Sequence, residues 1–235
     1  MENWQPLSMP HHWKELPGGE YYQQALQAQL APWWPKITGL QLLKWGELSR
    51  DLVCPGCQVP HQVIYPLSEN KVQSTPAMDK LPLPYPNHWF DACLLAHTLS
   101  YSDHPYELLQ ETDRLLTDQG WLLLSGFHAL SWLGIGRRLP WVGRQQPYWC
   151  QLFNLGRVLD WLALLDYQIV HCRTFQIIPG NHSTANKWLE RCLLPLGCQY
   201  LIIARKQITP LQPIQAIFPA PALWPDKSVG MGAGT

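Results

Sequence analysis

Charge is scarce in this chain of 235 residues: Asp, Glu, Lys and Arg make up 14%, and 17 acidic side chains balance 17 basic ones. A neutral balance supplies no long-range field for a polyanion, which argues against nucleic acid or an anionic membrane surface as the main partner. Long apolar runs are also missing. The longest, "WLLLSGFHALSWLGIG" (121–136), is too short to span a bilayer and contains His128 and three glycines, so it reads as a buried strand followed by a loop. No internal repeat is present. Met1 is followed by Pro6, Pro10 and the pair His11-His12 rather than by a basic segment and an apolar stretch, so no secretory leader is expected. The seven cysteines, an odd number, then read as reduced thiols of a cytoplasmic protein.

What the chain has in quantity is proline (22) and tryptophan (13). That suits a real core with prolines in loops and tails, on a scale of one α/β domain. Residues 1–19 read as an irregular segment ending in "LPGG". Tyr22, Leu26 and Leu30 recur every four residues and predict a helix over 20–30, stopped by Pro32. A short apolar run ending in "LLKWG" predicts a strand and a tight turn at Gly46, and "HQVIYP" (61–66) a second strand. "FDACLLAH" (90–97) is nearly continuous apolar, as expected of a parallel strand covered on both faces.

Leu108, Leu109, Thr112, Leu115 and Leu116 share one helical face, with Pro105 near its start and Gly120 as its expected end. "WLLLSGF" (121–127) is another buried strand. "NLGRVLDWLALL" (154–165) is helical with Asn154 as cap, and "TANKWLERCLL" (184–194) predicts a further helix. Strands at 167–178 and 199–206 complete the pattern. Residues 20–206 thus form one domain, and the Pro- and Gly-rich stretch 207–235 reads as a disordered tail. Strands alternating with helices argue for a doubly wound, parallel sheet.

Residues 79–125 carry an ordered set of motifs: Leu81-Pro82-Leu83, Asp91 opening a strand, His97-Thr98-Leu99, Asp113-Arg114-Leu115-Leu116, and Gln119-Gly120-Trp121. In this order they resemble the class I S-adenosylmethionine (SAM) dependent methyltransferases, in the small single-domain branch called methyltransferase type 11. The likeness extends over about residues 18–210. It implies an α/β, Rossmann-like doubly wound, mostly parallel sheet of about seven strands with helices on both faces. It also implies SAM as cofactor and a small-molecule acceptor whose identity the sequence does not disclose.

The resemblance places the family's acidic residue and Gly-x-Gly-x-Gly loop on Lys44, Gly46, Leu48 and Arg50, so only Gly46 matches. A cation at Lys44 opposes the positive end of the donor, and Glu47 is the carboxylate that stands in. Glu69 is the candidate for the ribose hydroxyls; the alternative is a solvated loop residue. The family's adenine-side acid falls on Ala77. Met78 and Asp79 come next, with Met78 either against the adenine face or in the core. Ala96 and His97, ending a strand, fall beside the methionine part of SAM.

Methyl transfer from SAM needs alignment and exclusion of water, and a base only where the acceptor must lose a proton. His128 is the candidate base; its alternative is a structural histidine. The stretch 134–149 mixes Arg137, Arg138 and Arg144 with Trp141, Tyr148 and Trp149, which suits an anionic or planar acceptor or a solvated loop equally. Its "GIG" is no phosphate loop, because Pro140 breaks the helix it should open. Cys54-Pro-Gly-Cys57 is half a zinc site; with no second pair in the chain, a turn bearing ordinary thiols is the default and no metal is expected. His11-His12 is assigned no role. Two functions are therefore open: a SAM-dependent methyltransferase, or a binding or scaffolding protein that keeps the fold and has lost the donor.

Overall fold

The computed structural model describes residues 10–65, 81–129, 150–175 and 197–207. The described strands form one sheet of six in the order β2-β1-β3-β4-β6-β5: β1 (Gln41–Trp45), β2 (His61–Tyr65), β3 (Phe90–Ala96), β4 (Leu116–Phe127), β5 (Tyr167–Phe175) and β6 (Gln199–Lys206). β2, β1, β3 and β4 are mutually parallel. β6 enters between β4 and β5 and runs antiparallel to both. The sheet is thus mostly parallel, with its final strand reversed.

Alternation along the strands sends side chains to two apolar layers. Leu42, Ala92, Leu94, Leu123, Leu201 and Ile203 pack on one face against helix α1 (Gly19–Leu30) and the segment before it. Leu43, Cys93, Leu95, Leu122, Leu124 and Ile202 pack on the other against α3 (Pro105–Leu115) and α4 (Leu155–Leu164). Fully burying one such leucine contributes about 2 kcal/mol, so the two layers supply the main stabilisation. Between β1 and β2 lies a single helical turn, α2 (Glu47–Arg50). Asn154 caps α4 as expected, its side chain accepting from the Gly156 N–H.

The family-like motifs turn out to be structural fasteners. Asp91 Oδ2 accepts from the N–H groups of Leu40 (2.7 Å) and Gln41 (3.1 Å), which pins the start of β1 to β3. Gly39 is required there, since a Cβ would lie 2.3 Å from the Asp91 Cβ. Arg114 grips Glu111 through two hydrogen bonds of 2.9 and 2.6 Å and also donates to the carbonyls of Leu83 and Tyr85. Glu111 in turn accepts from the Leu83 N–H at 2.7 Å. The Leu81-Pro82-Leu83 turn is therefore held by the α3 residues that follow it in the motif.

Two expectations need correction. The helix expected to run to Gly120 ends at Leu115, because Leu116 is already extended (ψ 140°) and pairs with Phe90. The irregular first segment is irregular only in part. Trp13–Glu15 form a 3-10 turn, and Trp13 and Leu16 lie in the core. The helix expected at 184–194 and the tail from 208 lie outside the described residues.

Candidate active site

In open α/β sheets a crevice forms at the carboxyl ends of the strands where the winding direction reverses. Here that point lies between β1 and β3: from β1 the chain steps outward to β2, then returns to the other side for β3. Trp45 and Leu95 are register partners, which brings Gly46 and Ala96-His97 to neighbouring strand ends. Gly46 has φ 99° and ψ 151°, a backbone state essentially confined to glycine, and caps the start of α2. Its N–H is bound by the Tyr65 carbonyl at 2.6 Å.

Two hydroxyls join these ends, that of Ser49 and that of Thr98 from the His97-Thr98-Leu99 motif. Ser49 Oγ donates to the Trp45 carbonyl (2.7 Å) and accepts from the Ala96 N–H (2.9 Å). Thr98 Oγ1 donates to the same Trp45 carbonyl at 2.7 Å. Sequence reasoning misses the bridging role of both, because neither a lone Ser49 nor the Thr98 of a motif shows which distant carbonyl its hydroxyl meets. A hydroxyl in this place does for the backbone what a closer turn would otherwise do.

Glu47, the first residue of α2, is buried, and one carboxylate oxygen lies 3.3 Å from Arg50 Nη2 while the other lies 3.9 Å from His11 Nδ1. Oε2 has no hydrogen-bond partner among the described residues. Lys44, in the position the resemblance gives to an acid, turns its ammonium to the Leu52 carbonyl at 2.9 Å, toward the segment that follows α2. Leu48, where the family has its middle glycine, is a core residue, and Arg50 is the Glu47 partner.

His97 has φ 57° and opens a 3-10 turn over Thr98–Tyr101. Its ring is fully enclosed: Phe127 lies 4.2 Å away and Trp13 5.3 Å, edge-on. Gln199 donates through Nε2 to the Tyr22 carbonyl, leaving Oε1 to accept from His97 Nε2 at 3.1 Å. That arrangement puts the imidazole proton on Nε2. Burial lowers the His97 pKa to about 4, against a smaller opposing effect of Gln199, so the ring is neutral at physiological pH. His128 follows β4 as expected; its N–H donates to the Cys198 carbonyl, and burial lowers its pKa too.

The segment before α1 reaches the same place. Trp13 Nε1 donates to the Leu48 carbonyl at 2.9 Å, and His12 Nδ1 lies 3.2 Å from Asp51. The histidine pair, exposed as expected, thus touches the Gly46 turn through Glu47 and Asp51. Glu69, Ala77, Met78 and Asp79 lie outside the described residues, as do Arg137, Arg138, Trp141, Arg144, Tyr148 and Trp149. Among the described residues no three His, Cys, Asp or Glu side chains gather as a metal site, and no helix is long and apolar enough to cross a membrane.

Residues 62–124 match the model of a methyltransferase domain family. With the strand order above, this gives the chain a methyltransferase domain of the class I, SAM-dependent type. The chain belongs to one family with the "Uncharacterized protein YafS" of Escherichia coli (strain K12), 41% identical over 207 residues that cover 88% of this chain and 85% of that one. Solved structures share the fold at low identity. A SAM-dependent methyltransferase from Mesorhizobium loti aligns with TM-score 0.52 and 19% identity over 79% of this chain and 97% of its own. A chain in the complex of the Haloferax volcanii Trm112 methyltransferase activator with a methyltransferase aligns with TM-score 0.56 and 10% identity, over 81% and 92%.

Proposed function

We propose that this protein transfers a methyl group from SAM to a small-molecule acceptor. The observation that carries the reading is Gly46: a glycine-only backbone at the end of β1, opening α2 beside Ala96 at the point where the sheet reverses. The donor brings an already activated methyl on a sulfonium, so the protein's work is binding, orientation and exclusion of water. Glu47, a buried carboxylate whose Oε2 is ion-paired with Arg50 at 3.3 Å but makes no hydrogen bond among the described residues, is the candidate for the cationic amino end. Ala96 and the enclosed His97 form the wall at the end of β3. Glu69, Met78 and Asp79 remain the candidates for the ribose and adenine side. His128, whose pKa burial lowers, is the candidate to take a proton from an acceptor that must lose one.

A second reading, a binding protein of methyltransferase fold without the donor, is favoured by one observation. Leu48, where the family's middle glycine would give backbone access to a ligand, is wholly buried, and Arg50, at the last glycine position, is held by Glu47. Isothermal calorimetry and thermal unfolding with SAM and S-adenosylhomocysteine separate the two. The enzyme reading expects heat of binding and a raised Tm. Neither response at millimolar ligand would leave only the second reading. Where SAM binds, incubation of labelled SAM with a metabolite extract identifies the acceptor class.

A further inference from the structure

Two glutamate–arginine pairs of the same spacing stand in this fold, and they are held differently. Glu111 and Arg114 lie three residues apart on α3, as Glu47 and Arg50 do on α2. Exposure is nearly the same in both: 8% and 29% for the α3 side chains, 7% and 33% for those of α2. Arg114 uses its fork to the full. It gives two hydrogen bonds to Glu111 and one each to the carbonyls of Leu83 and Tyr85 and to Asn87 Oδ1. Arg50 gives no hydrogen bond among the described residues. Its tie is Nη2 at 3.3 Å from Glu47 Oε2, an oxygen that accepts no hydrogen bond there.

The other Glu47 oxygen has a neighbour just as loose. His11 Nδ1 lies 3.9 Å from Oε1, and that imidazole is largely exposed. A buried carboxylate is costly without a counter-charge, so Glu47 needs Arg50 at rest. A guanidinium fixed to a carboxylate meets it bidentately at about 2.7–2.9 Å, as Arg114 meets Glu111. Arg50 stands close enough to balance the charge and too far to be fastened by hydrogen bonds. It also ends α2, so its side chain can rotate into water without a change of backbone. The α3 pair is a clamp; the α2 pair has the geometry of an exchangeable counter-ion.

We propose that Arg50 is an internal counter-ion of Glu47 that a ligand's primary ammonium group displaces on binding. The contact is autoinhibitory: the resting chain fills, with its own guanidinium, the carboxylate that the amino end of the donor requires. The ligand class is a small molecule bearing a free ammonium, which SAM and S-adenosylhomocysteine both carry on their amino-acid end. This rests on the reading of Glu47 as the carboxylate for that end. Removing the Arg50 charge therefore strengthens binding, the opposite of what the loss of a ligand-holding or merely structural residue does.

The test is calorimetry on the full chain with SAM, S-adenosylhomocysteine and methylthioadenosine, the last being the nucleoside thioether without the amino-acid end. Arg50→Gln should tighten the first two about threefold to fivefold, the range set by a partly exposed ion pair, and leave methylthioadenosine unchanged. Arg50→Lys keeps the charge and should bind as the parent does. With Glu47→Gln already in place, Arg50→Gln should have no further effect, which closes a double-mutant cycle. Should Arg50→Gln fail to fold, the side-chain N–H signal of Arg50 in the parent, assigned by its loss in Arg50→Lys, still decides: S-adenosylhomocysteine should shift it and speed its exchange with water. Unchanged or weaker binding of both amino-acid ligands by Arg50→Gln, an equal gain for methylthioadenosine, or an unmoved Arg50 signal would overturn the proposal. A parent chain that binds none of the three removes the donor reading with it; a parent that binds and a variant without the gain removes the counter-ion alone.

Discussion

The indole of Trp13 donates to the carbonyl of Leu48 across 2.9 Å, so the segment before α1 is fastened to the turn that Gly46 opens. The same ring stands edge-on to His97, and Trp13 is only 1% exposed. Replacing it with alanine removes a core aromatic and a backbone hydrogen bond together. Trp13→Ala should lower stability by about 3 kcal/mol or more, read from urea unfolding. It should also expose His97, which diethyl pyrocarbonate labelling would report as a newly reactive histidine.

Ser49 accepts from a buried N–H at the end of β3 and donates to the end of β1. Ser49→Ala leaves the Ala96 N–H without its partner, at a cost of about 2 kcal/mol. Hydrogen exchange should locate the loss at Ala96. An unchanged exchange rate there would show that the hydroxyl does not hold the two strand ends together.

Gly46 and His128 should separate binding from chemistry. Gly46→Asp forces a side chain onto a backbone with φ 99° and ψ 151°, where non-glycine residues incur strain of about 1–3 kcal/mol. SAM affinity should fall about tenfold or more, about 1.4 kcal/mol being a factor of ten. His128→Ala should leave that affinity unchanged. Calorimetry on both variants checks the pair; a SAM affinity in Gly46→Asp equal to that of the parent would remove the turn from the donor site.

His97 makes stability depend on pH. Its folded pKa is about 4, below the ordinary 6.5, so the unfolded chain binds a proton more readily. Its contribution is full above about pH 6.5 and is lost as pH falls toward 4, amounting to about 3 kcal/mol. His97→Phe should flatten the urea midpoint across that window. Glu111 acts lower on the scale. Its burial raises the carboxyl, but the Arg114 hydrogen bonds and charge and the Leu83 N–H outweigh this and hold it below the ordinary range. Its contribution is therefore lost only as pH falls below about 4.

Arg114 and Glu111 should behave as a unit. Arg114→Leu strands a carboxylate that is 8% exposed and should cost about 3 kcal/mol. Arg114→Leu combined with Glu111→Leu should cost less than the sum of the two single changes. A double-mutant cycle by denaturant unfolding measures the coupling; additive effects would mean that the pair does not clamp the Leu83 turn.

Much of this architecture is legible in the order of the residues. Continuous apolar runs mark β3 and β4, fourfold spacing marks α1, and Asn154 marks the start of α4, because local pattern and burial agree at these places. Leu116 reads as helix because its side chain continues the apolar face of α3, while its pairing with Phe90 is a long-range fact. Trp13 escapes a sequence reading for a similar reason. A tryptophan flanked by His12 and Lys14 has no period to announce its burial, and only the far-off Leu48 and His97 explain it. Gly46 is readable as a turn, but Ser49 and Thr98 are not, since a hydroxyl shows its worth only beside the carbonyl it meets.

The reversed strand between β4 and β5 bears on how this protein is made. Gln199, at its start, binds both His97 and the Tyr22 carbonyl, the latter 177 residues earlier in the chain. Until the ribosome has released residues 199–206, β4 and β5 have unpaired edges facing each other and the wall beside Gly46 lacks its anchor. The nascent chain thus carries open strands through most of its synthesis, a state prone to association with other chains. A stop codon just before Gln199 should yield an aggregating polypeptide rather than a slightly shorter enzyme, even though it would retain the whole of the family-matching stretch.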